Sequence, residues 1–350
     1  MGNVLQDLGE ANQAAEAYGR SLALEDNPAT AFNLSKVLIG LGRYHEAFVM
    51  AERRLQMAGF AVRRPGPYWL GHSDAGCWWI WSEQGHGDVI QYLRWLLPLL
   101  RRGLRIELEL DPAMVTLVRE GLAWVGGDLR VRGSDEESVP LPDGACQGPL
   151  LSLPLLLTDV PFVDESPYLH LASETVRPLQ REARLPRIGL VWASGAFLDG
   201  HVLERDYRRK SLKGQPFRSL LLALADRPLE LVALQFGPDR QLALGSGAFV
   251  AALPEQADFL ETARLMQDLD LLISVDTAAA HLAGAMGLPV WMLLPWAAEG
   301  RWGTARSDTP WYPSMRLLRQ PSHNDWYGLI RVVLARLDLW LIDRALSVDH

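Results

Sequence analysis

Two segments of the chain carry side chains that could do chemistry, and each follows an apolar run. The first is 81-WSEQGHGDVIQYLRW-95, in which Gly85, Gly87 and Asp88 stand between an apolar run and an amphipathic helix. The two glycines permit a sharp turn and a close approach of the backbone to a ligand. Asp88 can cap the helix, or it can accept a proton from a hydroxyl group bound at this loop.

The same loop lacks the signatures of two common phosphate-binding motifs. Ile90 stands where the third glycine of G-x-G-x-x-G would be, and no Gly-Lys-Ser/Thr follows the loop. A nucleotide-dependent dehydrogenase is further disfavoured because the chain shows no paired catalytic His and Arg motif. This class of enzyme is therefore the least favoured of those considered.

The second segment is 270-DLLISVDTAAAHLAGAMGLPVWMLLP-295, a buried strand that ends at Asp276 and leads at once into a helix. The first helical N–H groups, beginning near Ala278, form the positive end of the helix dipole and favour a phosphate. Thr277 and His281 are four residues apart and share a helical face. A lone helical histidine is more often structural, so both interpretations of His281 stay open.

Strand-like and helix-like segments alternate in two sets, a pattern typical of parallel, doubly wound sheets. We therefore predict an α/β fold with two Rossmann-like domains, whose ligands bind where the carboxyl ends of the strands face a cleft. The predicted strands are 77–82, 105–110, 129–133, 188–194, 230–236, 248–253, 269–276 and 289–295, and the predicted helices are 88–102, 112–123, 216–226, 258–268, 277–287 and 325–346.

Residues 1–57 form an internal repeat with a period of 33 residues. The pieces 8-LGEANQAAEAYGRSLAL-24 and 41-LGRYHEAFVMAERRLQM-57 align without a gap, with small residues at Ala14 and Ala47. This spacing resembles the tetratricopeptide repeat, one residue short of its usual length of about 34. Fewer than two whole repeats are too few to stand alone. We expect them to pack on the next domain or to continue an upstream array.

Composition narrows the choice of partner and compartment. The formal charge of −8 and the pI near 5.5 disfavour nucleic acid and anionic membranes as partners. Two distant cysteines, Cys77 and Cys146, suit a reducing compartment. The N-terminal residues lack a secretion signal, and no apolar run reaches the roughly 18 residues of a membrane span. We expect a cytoplasmic protein without a transmembrane segment, whose 13 tryptophans are mostly core rather than sugar-facing.

Taken together, EQGHGDVIQYLRWLLPLL and DLLISVDTAAAHLAGAMGLPVW resemble the family-9 glycosyltransferases, the group that contains the lipopolysaccharide heptosyltransferases. Their bacterial relatives with tetratricopeptide repeats ahead of the transferase are more similar still. The likeness covers nearly the whole chain and keeps the order of further short motifs, which are SLP at 152–154, PYL at 167–169, GLVWA at 189–193, LQFGP at 234–238 and PWYPSMRLLRQ at 310–320.

The resemblance implies a GT-B fold and a metal-independent, inverting transfer of sugar from a nucleotide-sugar, without a cofactor. It implies an acceptor domain at 61–180 and a nucleotide-sugar domain at 181–325, after helical repeats at 1–60 and before a C-terminal helix at 326–350. A Pro- and Gly-rich linker at 61–76 and a charged connector at 174–187 separate these parts. We expect the acceptor to be a protein or a glycan that the repeats help to present, and we do not expect nucleic acid as a partner.

The resemblance also assigns roles to single residues. Asp88, beside the loop residues Gly85, His86 and Gly87, matches the proposed general base that takes the acceptor proton. The segment that matches Asp276, Thr277, Ala278 and His281 holds the donor sugar and its phosphates. In 205-RDYRRKSLKG-214, the best matches to the basic position that steadies the leaving diphosphate are Lys210 and Ser211, with Arg208 and Arg209 as neighbours; a solvated basic loop is the alternative.

Three positions depart from the family pattern. Ala278 replaces a glycine, 299-EGRW-302 lacks one aromatic residue of an acidic-Trp-Arg-Trp run, and His86 occupies a position that is usually small or aliphatic. The first two departures keep a second hypothesis open, in which the transferase body is degenerate and the repeats make the protein a binding adaptor.

Overall fold

The structure is a computed structural model that describes residues 1–57, 60, 66–69, 76–137, 139–157, 166–172, 184–195 and 207–348. The chain divides into two compact units. The first unit comprises Met1–His170 with Ala297–Arg306, and the second comprises Leu171–Trp296 with Ser307–His350. Most of the linker predicted at 61–76 and of the connector predicted at 174–187 lies outside the described residues, so the predicted domain boundaries there stay predictions.

The first unit begins with four helices: α1 (Gly2–Asp7), α2 (Ala11–Leu24), α3 (Pro28–Gly40) and α4 (Tyr44–Ala51). Helix α3 starts where Asn27 caps it, since the side-chain Oδ1 accepts a hydrogen bond of 3.0 Å from the N–H of Thr30. Ala14 and Ala47 are fully buried between the helices, which lets the helix backbones approach closely. The helices described here are compatible with paired repeats, whose assignment as tetratricopeptide repeats stays a prediction.

A parallel four-stranded sheet follows in the same unit, built from β1 (Cys77–Trp81), β2 (Arg105–Leu110), β3 (Leu129–Gly133) and β4 (Ala145–Pro149) in the order β3-β2-β1-β4. The strands alternate with α5 (His86–Tyr92), α6 (Leu96–Arg101), α7 (Pro112–Gly121) and α8 (Leu153–Leu156). Because every strand is parallel, the loops after β1 and β2 emerge at the same end of the sheet.

The first sheet differs from the prediction in two places. Helix α5 begins two residues before the predicted start at 88, and a 3-10 turn at Leu93–Trp95 divides the predicted helix 88–102 from α6. Strand β4 was not predicted, because its sequence ACQGP has neither alternation nor β-branched residues. Tertiary packing explains the glycine in this strand, because a Cβ on Gly148 would lie 2.3 Å from the indole ring of Trp69.

The second unit contains a parallel six-stranded sheet in the order β10-β9-β8-β5-β6-β7. Its helices are α9 (Gly214–Ala225), α10 (Gln241–Leu244), α11 (Phe259–Met266), α12 (Ala278–Ala285) and α13 (Trp326–Val348). Strand β10 was not predicted, although its residues lie within a motif quoted for the family resemblance. The strands are β5 (Arg187–Val191), β6 (Glu230–Ala233), β7 (Phe249–Ala252), β8 (Leu271–Val275), β9 (Val290–Leu294) and β10 (Met315–Arg319).

The tryptophans are mainly core residues, as predicted. Nine of the 13 are buried, and the two exposed ones are Trp124 and Trp296. Among the described residues, no helix is both long enough and apolar enough to cross a membrane.

Candidate functional site

The loop after β1 carries the first candidate site. Gln84 has a positive φ of 63°, a left-handed conformation that costs free energy in a residue other than glycine. Gly85 follows as the N-cap of α5, so Asp88 is the third helical residue and forms no side-chain cap. The capping interpretation of Asp88 is therefore wrong, and its carboxylate is available for another contact.

That contact is an ion pair with Arg301. The Nη2 atom of Arg301 lies 2.6 Å from Oδ1 of Asp88 and 2.5 Å from Oε1 of Glu299. Its Nη1 donates a hydrogen bond of 2.7 Å to the side-chain oxygen of Gln91. The guanidinium group thereby fixes the position of the Asp88 carboxylate. Gly85 lies beside the other carboxylate oxygen, Oδ2 of Asp88. A Cβ at position 85 would lie 3.6 Å from this oxygen, so the glycine leaves that side of the carboxylate uncovered.

The Asp88 carboxylate is 24% exposed and opens into a pocket of about 90 Å³. Tyr92 also lines the pocket; burial raises the pKa of its phenol, which is protonated at neutral pH even without this shift. The pocket therefore combines the Asp88 carboxylate and a neutral phenol with other charged and polar side chains and a few apolar ones. Its lining residues are Phe32, Ser35, Lys36, Ile39, Ala51, Arg54, Gln84, Asp88, Gln91, Tyr92, Leu151, Glu299 and Arg301.

Helix α3 forms one wall of this pocket and packs directly on the 299–302 segment. A Cβ on Gly300 would lie 1.8 Å from the carbonyl oxygen of Lys36, and a Cβ on Gly40 would lie 3.1 Å from the carbonyl oxygen of Gly300. Two backbones meet here with no room for a side chain. The missing aromatic residue in 299-EGRW-302 thus has a structural reason, because a tryptophan at position 300 could not coexist with α3 in this place.

A buried charge cluster ties the helical segment to the loop after β1. The guanidinium of Arg54 lies 2.5 Å from Oε1 of Glu83 and 2.9 Å from Oε1 of Glu52, and it donates a hydrogen bond of 2.9 Å to Ser152. Burial alone lowers the pKa of Arg54, but Glu83 and Glu52 more than reverse this, so the pKa is raised. The guanidinium therefore stays charged, and the cluster holds the loop on the helices.

His86 and Gly87, predicted as loop residues, form the first turn of α5 together with Asp88. The Nε2 atom of His86 lies 3.5 Å from Oδ2 of Asp111, the residue that caps α7 after β2. His86 therefore contacts a neighbouring strand end, and it is not among the residues that line the pocket.

The second candidate site lies where β8 ends in the second unit. Asp276 follows β8 directly, and its Oδ2 lies 3.0 Å from Nζ of Lys210, in an ion pair that is not aligned as a hydrogen bond. Thr277 is the N-cap of α12, which begins at Ala278. The structure thus brings Lys210, Asp276 and the start of α12 together, and a cation stands beside the positive end of a helix.

His281 points inward from α12. Its Nδ1 atom lies 2.9 Å from the hydroxyl of Tyr312, its Nε2 atom lies 3.8 Å from Oδ1 of Asp276, and the residue is only 3% exposed. These contacts favour the structural interpretation, in which His281 supports the carboxylate of Asp276 from behind. Tyr312 is a partner that the sequence did not reveal.

Ser211 is also buried, and its Oγ accepts a hydrogen bond of 3.1 Å from the backbone N–H of Ser194, just after β5. It therefore ties the basic segment to the carboxyl end of β5. Arg208 is exposed and Arg209 is half-buried; the first two residues of the run 205–214 lie outside the described residues. Over the part of the chain that the structure describes, no group of three His, Cys, Asp or Glu side chains is arranged to hold a metal ion.

Sequence reasoning missed the residues that position the candidate base. Gln91 could have been predicted from helical spacing, because it lies three residues after Asp88 on the same face of α5. Arg301 could be noticed only as part of a family motif. No sequence pattern pointed to Lys36 and Arg54, because they reach the pocket beside Asp88 through tertiary packing.

The chain is similar to a curated protein and to several solved structures. The chain is 27% identical to Protein FlbA of Caulobacter vibrioides over 356 residues, which cover 91% of this chain and 57% of that protein. Thus the chain spans little more than half the length of this curated relative. No family model matches the chain.

Among solved structures, the iron-containing, dodecameric glycosyltransferase TibC of enterotoxigenic E. coli is similar, with a TM-score of 0.50, 12% identity and coverage of 79% of this chain and 77% of that one. A family-9 glycosyl transferase of Veillonella parvula has a TM-score of 0.49, 11% identity and coverage of 77% and 97%. The likeness to TibC shows that the two parallel sheets form the Rossmann-like fold of such glycosyltransferases.

Proposed function

We propose that the chain is a bacterial glycosyltransferase of the cytoplasm, which moves a sugar from a nucleotide-sugar to a hydroxyl group of a protein or glycan. One observation carries this proposal: the Asp88 carboxylate, held by Arg301, opens into a pocket at the carboxyl ends of a parallel sheet. A positioned, partly exposed carboxylate in such a place suits a general base. The Rossmann-like fold and the ordered motifs support the same activity.

In the proposed reaction, Asp88 takes the proton of the acceptor hydroxyl as its oxygen bonds to the anomeric carbon of the donor sugar. The bond between that carbon and the diphosphate oxygen breaks at the same time, on the opposite face, so the anomeric configuration inverts. The electron pair leaves with the nucleoside diphosphate. Oδ2 is the atom we assign to the proton, because Oδ1 is engaged by Arg301.

The departing diphosphate gains negative charge, and Lys210 and the start of α12 are the groups that we assign to it. The first N–H groups of α12 have no partner within the helix and carry its positive dipole end. The Lys210 ammonium, paired with Asp276, adds a cation at the same place. The transfer is proposed to need neither metal nor cofactor, with Thr277, Ala278 and Ser211 completing the donor site.

The acceptor is assigned to the pocket beside Asp88, and helix α3 gives the N-terminal helices a direct part in binding it. Phe32, Ser35 and Lys36 come from α3 and lie in the same lining as Asp88. The Lys36 ammonium lies 4.8 Å above the ring of Phe32. We therefore propose that the helices, as tetratricopeptide-like repeats, present the acceptor rather than serve only as a tether.

A screen of nucleotide sugars tests the activity. Purified protein is incubated with UDP-, GDP- and ADP-sugars, and both thermal stabilisation and release of the nucleoside diphosphate are measured with and without EDTA. We expect one donor to stabilise the protein and to be turned over equally in EDTA. If no donor binds or reacts, the glycosyltransferase proposal fails; if EDTA abolishes turnover while binding persists, only the metal-independent mechanism fails.

The ion pair between Asp88 and Arg301 also favours a second candidate, a degenerate transferase body that acts as a binding adaptor. The guanidinium occupies Oδ1 of Asp88 and leaves a single carboxylate oxygen for a hydroxyl group. Donor binding without turnover, together with capture of a protein partner that depends on Lys36, would select this alternative. The altered 299–302 run does not support this alternative, because the close contact with α3 already explains the glycine at position 300.

A further inference from the structure

The C-terminal helix α13 carries two separate apolar faces. One face is buried in the second unit, where Leu329, Ile330, Val333 and Leu337 are at most 5% exposed and join the main hydrophobic core. Two ion pairs, of Asp338 with Arg227 at 2.7 Å and of Arg344 with Asp270 at 3.0 Å, add to this anchor. Any further apolar residues on α13 are therefore not needed to hold it on its own unit.

The second face is exposed and regular. Val332, Leu339, Ile342 and Leu346 are 46%, 64%, 56% and 60% exposed, and Ala335 is also exposed. These five residues, which we call the α13 seam, follow one another at spacings of three, four, three and four residues. That is the heptad spacing of coiled-coil a and d positions, which places all five along one narrow stripe. Such a stripe is the surface that another helix of the same kind covers.

We propose that the α13 seam joins two copies of this chain through an antiparallel pair of α13 helices. Charge complementarity supports both the occupant and its direction. Arg336 and Asp343 flank the seam on one side, and Arg331 and Asp338 flank it on the other. In a parallel pair, heptad geometry sets Arg331 against Arg336 of the second copy, so like charges face each other. Asp338, which would come opposite Asp343, is already paired with Arg227 of its own chain.

An antiparallel pair turns the same residues into attractive partners. With the two-fold axis between residues 340 and 341, Leu339 faces Ile342 of the second copy and Ala335 faces Leu346. On the flank, Arg336 then faces Asp343 of the second copy, and symmetry repeats each contact. This register covers four of the five seam residues and matches two pairs of opposite charges.

The α13 helix is already formed and anchored, so pairing does not require helix nucleation. The seam spans only about 21 Å along the helix, from residue 332 to residue 346. We therefore expect a dissociation constant on the order of micromolar rather than an obligate dimer.

Sedimentation velocity of the full chain over a concentration series tests this. The expected result is a reversible rise in mass to twice the 39.0 kDa of one chain. Leu339→Glu should raise the dissociation constant at least about a hundredfold, since each substitution occurs twice in the interface. Leu222→Glu is the matched control, because Leu222 is a 69% exposed leucine on α9 outside the seam, and it should leave the dimer intact.

Charge reversal tests the direction of the pair. Arg336→Glu should weaken an antiparallel dimer, because it faces Asp343, whereas it would strengthen a parallel one, because it would face Arg331. Adding Asp343→Arg to Arg336→Glu should restore the affinity of the antiparallel pair.

Cross-linking gives an independent measure of the register. An equimolar mixture of the Leu339→Cys and Ile342→Cys proteins should form a disulfide between the two different variants under mild oxidation. A chain that stays monomeric at about 100 μM, or a dimer that survives Leu339→Glu, overturns the proposal. Circular dichroism of each variant confirms that a lost dimer is not a lost fold.

Discussion

In each sheet an aspartate follows a central strand, but the two differ in place and surroundings: Asp276 comes directly after β8, and Asp88 lies in the first turn of α5 after β1. Asp88 and Asp276 each lie within 3.0 Å of a cation, Arg301 in the first unit and Lys210 in the second. The Asp88 side chain is 24% exposed and opens into a pocket, whereas the Asp276 side chain is 7% exposed and has His281 behind it. One carboxylate can reach a ligand atom, and the other is chiefly able to hold its neighbours.

An ion pair by itself therefore does not determine the functional role of a carboxylate. In the first unit the cation positions the acid, and the acid is the group proposed to react. In the second unit the acid positions the cation, and Lys210 is the group proposed to meet the phosphate. The exposure of the aspartate side chain, and the further side chain that contacts it, determine which member of each ion pair is proposed to face the substrate.

The largest effect is expected from Asp88→Asn. We expect turnover to fall about a thousandfold, because an amide cannot take the acceptor proton, while donor affinity stays unchanged. Steady-state turnover and calorimetric titration of the donor measure the two quantities. Glu16→Gln is the control, since Glu16 is a 71% exposed acid of the same unit in a weak surface pair. Unchanged turnover in Asp88→Asn would remove the distinction between the two aspartates.

The next effect is expected from Gly300→Ala, which tests how firmly the first site is held. The added Cβ collides with the backbone oxygen of Lys36, so we expect a loss of about 3 kcal/mol in the free energy of unfolding. Gly19→Ala is the matched control on helix α2, where a Cβ meets nothing within 4 Å. It should stabilise the protein by about 0.5–1 kcal/mol. Denaturant titration measures both, and equal behaviour of the two variants would contradict the contact.

A smaller loss is expected from Asp276→Asn, which tests the supporting role of the second aspartate. The change leaves Lys210 without its carboxylate, and we expect a loss of about 2 kcal/mol in the free energy of unfolding. Glu230→Gln breaks the more exposed pair with Arg187 and should cost less than about 1 kcal/mol. Thermal unfolding of both variants decides the matter, and a neutral Asp276→Asn would show that Asp276 does not hold its surroundings.

The smallest effect is expected from Lys210→Met. We expect the affinity for the nucleoside diphosphate to fall about tenfold, because one charge-assisted contact is lost. Lys213→Met is the matched control from the same segment, where Lys213 pairs with Asp239 at 3.3 Å. Calorimetry with the diphosphate measures both affinities. If the control loses as much affinity as Lys210→Met, the segment acts as a diffuse basic loop.

Much of the fold followed from local patterns, because buried parallel strands and their helices are continuous in sequence. The run CWWIW and the segment LDLLISVD identified the central strands of the two sheets, and both aspartates were found from their places after those strands. Strand β4 was missed because its residues are chosen by contact with Trp69 and not by strand propensity.

The chemistry of the sites was less accessible. Position and residue type selected Asp88, and the family resemblance selected Lys210, but the partners that distinguish the two sites come from elsewhere in the chain. Arg301 is 213 positions after Asp88, and its contact depends on how the 299–302 segment packs. The α13 seam was also overlooked, because the buried stripe of the same helix accounts for the apolar periodicity at first sight.

The backbone contact between Gly40 and Gly300 has a consequence for engineering this protein. The N-terminal helices cannot be exchanged as an independent cassette, since any graft must place a small residue at the equivalent of position 40 and meet glycine at position 300. A transplanted array that satisfied only its own internal packing would displace the segment that carries Arg301. Chimaeras should therefore be cut so that α3 and the 299–302 segment travel together.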